Sequence, residues 1–262
     1  MNPKADKRTL ALEKELAAVR KREAALDRQA AKAHSPAWRI QLEQKVPKTV
    51  LTGLEHAFSR GFSIVFDKGS GLIEKSYNAQ TLKETHAIQH YATQVRGRRR
   101  ELRAISRSAR TAQLGELALT TVEGLGLGAL GVGLPDIVLF LGMLLRGVYQ
   151  TALRYGFAYD TPGEQMLILK MMEAALSKGE QRAVLSAEVD ALLLSPTVPE
   201  HAALQTQMER TGRAFAVDML LLKFLQGFPL VGILGGAGNP IYYHKVMDYV
   251  QLKYQKRYLC SL

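Results

Sequence analysis

Residues 124–147 read GLGLGALGVGLPDIVLFLGMLLRG, and residues 227–238 read GFPLVGILGGAG. Both are apolar runs studded with glycine and broken by proline, and together they hold 12 of the chain's 22 glycines. Glycine at that density costs backbone entropy unless a turn, a lipid or a second backbone approaching closely compensates. By length either could cross a bilayer: Gly124 to Leu145 is 22 residues with Asp136 its one charge, and Phe224 to Tyr243 is 20 residues with none. Their breaks argue for shorter pieces. Pro135-Asp136 divides the first run, and Pro229 and Pro240 bracket the second, leaving halves of the length of a core helix or a re-entrant hairpin. Gly124/Gly128 and Gly232/Gly236 are small-x-x-x-small pairs that let helices approach closely in lipid or in a tight soluble core. We expect two Gly/Pro-broken apolar helical hairpins, buried, dipping into lipid or inserted. Asp136, directly after Pro135, is expected to complement a helix N-terminus.

Outward from these segments the pattern is helical, and the expected fold is an all-α multi-helix bundle. Val46 to Phe66 places Val50, Leu51, Leu54, Phe58, Phe62 and Val65 on one side of a helix. Lys68-Gly69-Ser70-Gly71 is expected to break it. Thr81 to Arg110 is expected to run on as one long polar and basic helix. Thr161-Pro162-Gly163-Glu164 combines a capping Thr, a Pro at the first helical position and a Glu at the third, predicting a helix from Pro162 to Ser177. Thr197 and Glu200 repeat the capping spacing ahead of a helix carrying Leu204, Met208, Phe215 and Leu222. Asn239-Pro240 is expected to cap a last helix, Ile241 to Leu259, with Met247, Val250, Tyr254 and Tyr258 toward the body. No stretch alternates with period two for long enough to predict a strand.

Charge adds a second theme. The net charge of +11 favours an anionic partner such as lipid headgroups or nucleic acid. Residues 1–34 carry nine Lys/Arg against five Asp/Glu, with Leu12, Leu16, Val19 and Leu26 forming an apolar stripe interrupted by Glu23. They predict a basic amphipathic helical extension, residues 1–34, ahead of a single domain, residues 35–262. Its stripe is short for a coiled coil, so the helix is expected to dock on the body or on a second copy, with homo-oligomerisation open through residues 5–33. Between Gln94 and Arg110, Arg96, Arg100, Arg103, Arg107 and Arg110 recur at steps of four and three on one helical face, with Arg98 and Arg99 beside them and Glu101 the one acid. Beside an apolar segment this marks a cytoplasmic face drawn to anionic lipid. The other reading is a solvated face or a stripe paired with acids elsewhere in the fold. Nucleic acid ranks last, because no aromatics interleave with the arginines and no groove-reading signature appears.

Recognisable chemistry is scarce. Gly126-Leu127-Gly128-Ala129-Leu130-Gly131 fits G-x-G-x-x-G literally, but no strand precedes it and no acid follows at the spacing a ribose contact needs. His86 and His90 lie four apart on one helical face without a third ligand, so no metal and no cofactor is expected. Gly69-Ser70-Gly71 lacks the outer glycine spacing of a nucleophile elbow. Cys260, the single cysteine, has neither a base partner nor a prenylation box, and the charged start where a secretory signal would be apolar fits a reducing, cytosolic compartment.

Several short motifs, read together, carry a resemblance. Gly126-Leu127-Gly128 through Gly133-Leu134-Pro135-Asp136, Leu144 to Phe157 ending Arg154-Tyr155-Gly156-Phe157, Pro162-Gly163-Glu164, Pro229-Leu230-Val231-Gly232 to Gly238-Asn239-Pro240, and Arg257-Tyr258-Leu259 occur in an order and spacing that resembles the bacterial EcsC protein family. The resemblance covers about residues 45 to 262. The chain departs from the pattern after Gly-Leu-Pro, where it lacks the usual extra small residue and second proline. The resemblance implies membrane association and a link to ABC transport, the family being named for a product encoded beside an ABC transporter, and brings no catalytic residues with it. The expected function is therefore a non-enzymatic accessory or interaction factor, cytoplasmic and peripheral to or partly inserted in the inner membrane. It would bind anionic lipid through the arginine face, with a membrane-protein partner possible. The alternative is a soluble helical module enclosing a small apolar ligand, or an enzyme of unrecognised type, with Asp136, Arg146, Asp218, Lys223 or Asn239 facing a cavity.

Overall fold

A computed structural model describes residues 3–32, 48–118, 135–195, 197–226 and 238–262. Residues 119–134 and 227–237, which hold nine of the twelve glycines of the two glycine-rich segments, lie outside the described residues. Among the described residues the fold is an all-α multi-helix bundle without strands. The helices are α1 (Pro3–Lys32), α2 (Lys48–Ile64), α3 (Ser70–Lys75), α4 (Ala79–Arg96), α5 (Arg99–Ala118), α6 (Pro135–Arg154), α7 (Pro162–Leu176), α8 (Gly179–Leu194), α9 (His201–Gln226) and α10 (Gly238–Cys260). The patterning alone does not single out α8.

The core centres on α6, where Ile137, Leu141, Leu144, Leu145 and Val148 are fully buried. Residues Ile137–Arg154 are long and apolar enough to cross a bilayer, but 78% of that window is buried inside the bundle. Helix α6 starts at Pro135, as the Pro-Asp break predicts. Helices α2 and α9 cross against it. Phe58 stacks on Phe215 at 5.2 Å between ring centroids, and Phe140 meets Phe215 edge-on at 5.9 Å. At Gly212 of α9 a Cβ would lie 3.0 Å from the Ser59 nitrogen of α2, so the two backbones approach closely there.

Four expectations about helix boundaries are corrected. Helix α10 starts at Gly238, so that Asn239 and Pro240 lie in its first turn rather than capping a helix from Ile241. Lys68-Gly69-Ser70-Gly71 does not break the chain: Val65–Gly69 forms a π-helical turn that carries α2 directly into α3. Burial of Val65, Phe66 and Ile73 outweighs the local cost of two glycines. The turn falls instead at Ser76–Asn78, and the Asn78 side chain caps α4 by accepting from the Thr81 N–H at 3.0 Å. Thr81 to Arg110 is two helices, because Gly97 takes the left-handed conformation (φ 57°) and its N–H closes α4 on the Thr93 carbonyl. Finally, α9 begins at His201, three residues later than a cap at Thr197 would place it. Val198 precedes Pro199, which disfavours helical backbone there.

Topology fixes where the glycine-rich segments join. Helices α6 and α10 run parallel: Gly147 packs on Tyr243 and Met247, and Phe157 stacks on Tyr254. Helix α5 packs against both. The Gln251 side-chain amide donates to the Ala109 carbonyl at 3.2 Å, and Arg154 donates to the Ser108 hydroxyl at 3.1 Å. Late in α9, Asp218 pairs with Lys245 early in α10. Both glycine-rich segments therefore join the bundle at the same end.

Candidate functional site

Two clusters assemble the residues that the sequence marks. The first is a joint between the end of α6, the start of α7 and the end of α10. Here the motif blocks 154–157, 162–164 and 257–259 meet. Thr161 caps α7 as predicted, its hydroxyl accepting from the Glu164 N–H at 3.3 Å. The Glu164 carboxylate takes Arg257 from the last turn of α10 at 2.7 Å, with both side chains almost fully buried. The Arg257 guanidinium lies over the Phe157 ring, 4.2 Å from its centroid. Arg257 Nη1 is buried without a hydrogen-bond partner among the described residues, and the Tyr254 hydroxyl lies buried beside the Glu164 carboxylate.

Beside the pair, Gly156 turns the chain with φ 81°, and a Cβ there would collide with the His86 ring. His86 donates from Nδ1 to the Arg154 carbonyl at 2.9 Å. His90 lies on the Tyr258 hydroxyl through Nδ1 at 3.0 Å, and the two imidazoles stack at 5.5 Å. Burial, then the neighbouring His90, hold His86 below the usual imidazole range against the pull of the Arg154 bond. Burial likewise raises the Tyr155 phenol. Every charged group at this joint is committed to a partner or a ring. The arrangement ties three helix ends together rather than presenting a nucleophile or an acid–base pair to a cleft. Among the described residues no group of three or more His, Cys, Asp or Glu side chains could hold a metal ion.

The second cluster is the basic face. Arg100, Arg103, Arg107 and Arg110 lie along the exposed side of α5, opposite the buried Leu102, Ile105 and Ala109. Arg96 sits exposed in the last turn of α4, across the Gly97 break. The stripe is thus shared between two helices. Part of it is paired: Glu15 of α1 is 3% exposed and takes Arg99 at 2.6 Å and Arg103 at 2.9 Å.

That contact reveals an arrangement that sequence reasoning missed. Glu15, Glu23 and Asp27 of α1 all face inward. Glu23 takes Lys253 (2.8 Å) and Lys256 (3.0 Å) of α10, and Asp27 takes Arg182 of α8 (3.1 Å). Their spacing of eight and four residues puts them on one helical face, a signal legible once the apolar stripe is extended to include acids. Glu23, which interrupts that stripe, is a docking contact. Val19 and Ala11 are buried beside it, while Leu12, Leu16 and Leu26 pack partly buried on the core. Helix α1 docks on the body, one of the two placements expected for it. Its outer face carries Lys7, Lys14, Arg20, Lys21 and Arg28 exposed, with Glu13 beside them, while Arg8 turns to α4 and donates to the Gln94 carbonyl at 3.3 Å. Where α1 meets α5, burial and then the nearby Arg110 lower the Arg22 guanidinium from its ordinary value, so two like charges face each other there.

Of the residues expected to line a cavity, the two whose side chains are described, Arg146 and Asp218, turn to different partners. Arg146 turns to α3 and donates to the Ser76 carbonyl at 3.2 Å. Asp218 is held between Lys178 (3.3 Å) and Lys245 (2.6 Å). The side chains of Asp136, Lys223 and Asn239 lie outside the described residues. A small open cleft between α5, α6 and α10 is lined by Gly147, Thr151, Met247 and Gln251, but by neither Arg146 nor Asp218.

The architecture is that of an all-α bundle in which three of the short motif blocks, residues 154–157, 162–164 and 257–259, meet at one interhelical joint. The chain belongs to the EcsC protein family, matching that family over residues 11–259, and the match therefore begins inside α1 rather than near residue 45. Comparison with curated proteins and with solved structures gave no match.

Proposed function

We propose that this protein is a non-enzymatic helical factor acting at the cytoplasmic face of a bacterial membrane, where it binds anionic lipid through the basic surface of α5 and α1. The observation that carries the reading is the sorting of charge on α1. Its acids at 15, 23 and 27 are spent on body cations, so they do not neutralise the outer surface. Arg96, Arg100, Arg107 and Arg110 stay exposed on the neighbouring helices. Near an anionic bilayer each such residue contributes about 1 kcal/mol. The common end at which both glycine-rich segments join the bundle also supports a role at a membrane, as accessory or interaction partner of a membrane protein.

Co-sedimentation with vesicles containing phosphatidylglycerol tests it. Binding is expected at low salt and should weaken steeply as salt shortens the Debye length from ~30 Å at 0.01 M to below ~10 Å. An Arg100→Glu/Arg107→Glu variant should lose binding while keeping its helical spectrum. Absence of binding to acidic vesicles at low salt would refute the reading.

A further inference from the structure

We propose that α1 is a displaceable strap over a cationic groove, and that an anionic lipid surface takes over the groove when it draws α1 away. The inference rests on the membrane reading above and assigns it a conformational partner. The groove floor is built from α8 and α10. Arg182, 4% exposed, lies over the Tyr249 ring at 4.1 Å from its centroid, and Lys253, with a side chain 2% exposed, approaches the same ring at 5.2 Å. The Tyr249 hydroxyl shares a hydrogen bond with Ser186 at 3.0 Å. Lys256 adjoins Lys253, and Asp190 bonds both, at 2.8 and 2.6 Å. Arg99 and Arg103 extend the row onto α5.

Five cations thus line the seat of α1 with Asp190 as their resident acid, and three of the four carboxylates that meet them are brought by α1 itself. Glu15, Glu23 and Asp27 act as an intramolecular anionic ligand. Burial would raise the Asp190 carboxyl, but the bonds from Lys253 and Lys256 outweigh it and hold it below the usual carboxylate range. Phosphate headgroups supply the chemistry that matches the groove cations.

The two faces of α1 make displacement by a surface, rather than by a small anion, the favoured route. An acidic bilayer attracts the outward row of Lys7, Lys14, Arg20, Lys21 and Arg28 and offers phosphates to the cations underneath. A soluble anion could do the second but not the first. The Ala, Leu, Glu, Lys and Arg composition lets α1 remain helical on leaving the body, with Leu12, Leu16, Val19 and Leu26 available to lipid.

Pulsed electron–electron distance measurement on the full chain tests this. One nitroxide goes on Cys260, the single cysteine, which is exposed at the end of α10. The second goes on α1 through Ala24→Cys, an exposed position next to Glu23. A single short distance is expected in buffer, and a second, longer population should appear and grow with added phosphatidylglycerol vesicles. Adding Glu23→Gln and Asp27→Asn should lower the lipid needed for half-conversion by about tenfold or more, since the three ion pairs that Glu23 makes with Lys253 and Lys256 and Asp27 makes with Arg182 are removed. Vesicle binding with the short distance unchanged would overturn the strap and leave the membrane reading standing. No vesicle binding would remove both. Equal conversion by inorganic phosphate at matched phosphate concentration would also overturn it, because simple screening would then suffice.

Discussion

Replacing Arg257 with Met removes the cation from the joint where three family motifs meet, and the cost can be worked from its surroundings. The Glu164 carboxylate would remain at a position 7% exposed, with its ion pair of 2.7 Å gone. Stranding one partner of a buried pair costs about 3–5 kcal/mol. Side-chain exposures of 11% for Arg257 and 9% for Glu164 admit little water, so the cost falls at ~3 kcal/mol or above. Loss of the guanidinium over Phe157 adds ~0.5–1 kcal/mol. Glu164→Gln, which keeps the shape and leaves Arg257 stacked on Phe157, should cost less, about 1.5–3 kcal/mol. The double variant should cost much less than the sum, because no buried charge is stranded. Equilibrium urea unfolding reads all three: at a slope of ~3 kcal/mol/M the Arg257→Met midpoint should fall by about 1 M with the slope unchanged. Strict additivity of the two single variants, or a cost below ~1 kcal/mol for Arg257→Met, would refute the assignment of this pair as the clamp of the joint.

Other outcomes follow from the same geometry. Gly156→Ala should destabilise by ~1–3 kcal/mol, since φ 81° is unfavourable for a side chain and the new Cβ would lie within 2.3 Å of the His86 ring; thermal unfolding measures it. Gly212→Leu should be worse than Gly212→Ala, because the neighbours are the Ser59 and Glu55 backbone rather than a movable side chain; recovery of soluble protein and midpoint denaturant report the order. His86 has its folded pKa lowered below the unfolded value of ~6.5. Its contribution is therefore present above ~6.5 and is lost as pH falls from there toward the folded pKa. His86→Gln should flatten this part of the stability profile, and NMR titration of the ring should give a midpoint below that of a free imidazole.

Much of the fold is legible in local chemistry. Pro135 and the Thr161-Pro162-Gly163-Glu164 box start helices where they should, because a fixed φ and a side-chain acceptor act within one turn. The apolar faces of α2 and α10 are readable from their 3.6-residue period, and Phe58, Phe62, Val250 and Tyr254 are buried as that period predicts. Local rules fail at Gly69, where helical continuity depends on Phe66 and Ile73 reaching the core, and at Gly97, whose left-handed cap splits the arginine row. A glycine permits both outcomes, and only packing around it chooses.

The sequence by itself determined that the chain is helical, basic and a member of one family, since composition, periodicity and short-range motifs carry those properties. The partners of its charges were decided by tertiary structure alone. Glu164 meets Arg257 across 93 residues of chain, and Glu23 meets Lys253 across 230. Which carboxylate satisfies which cation depends on where helices cross, and that fixes which face of α1 is left to interact with anything else.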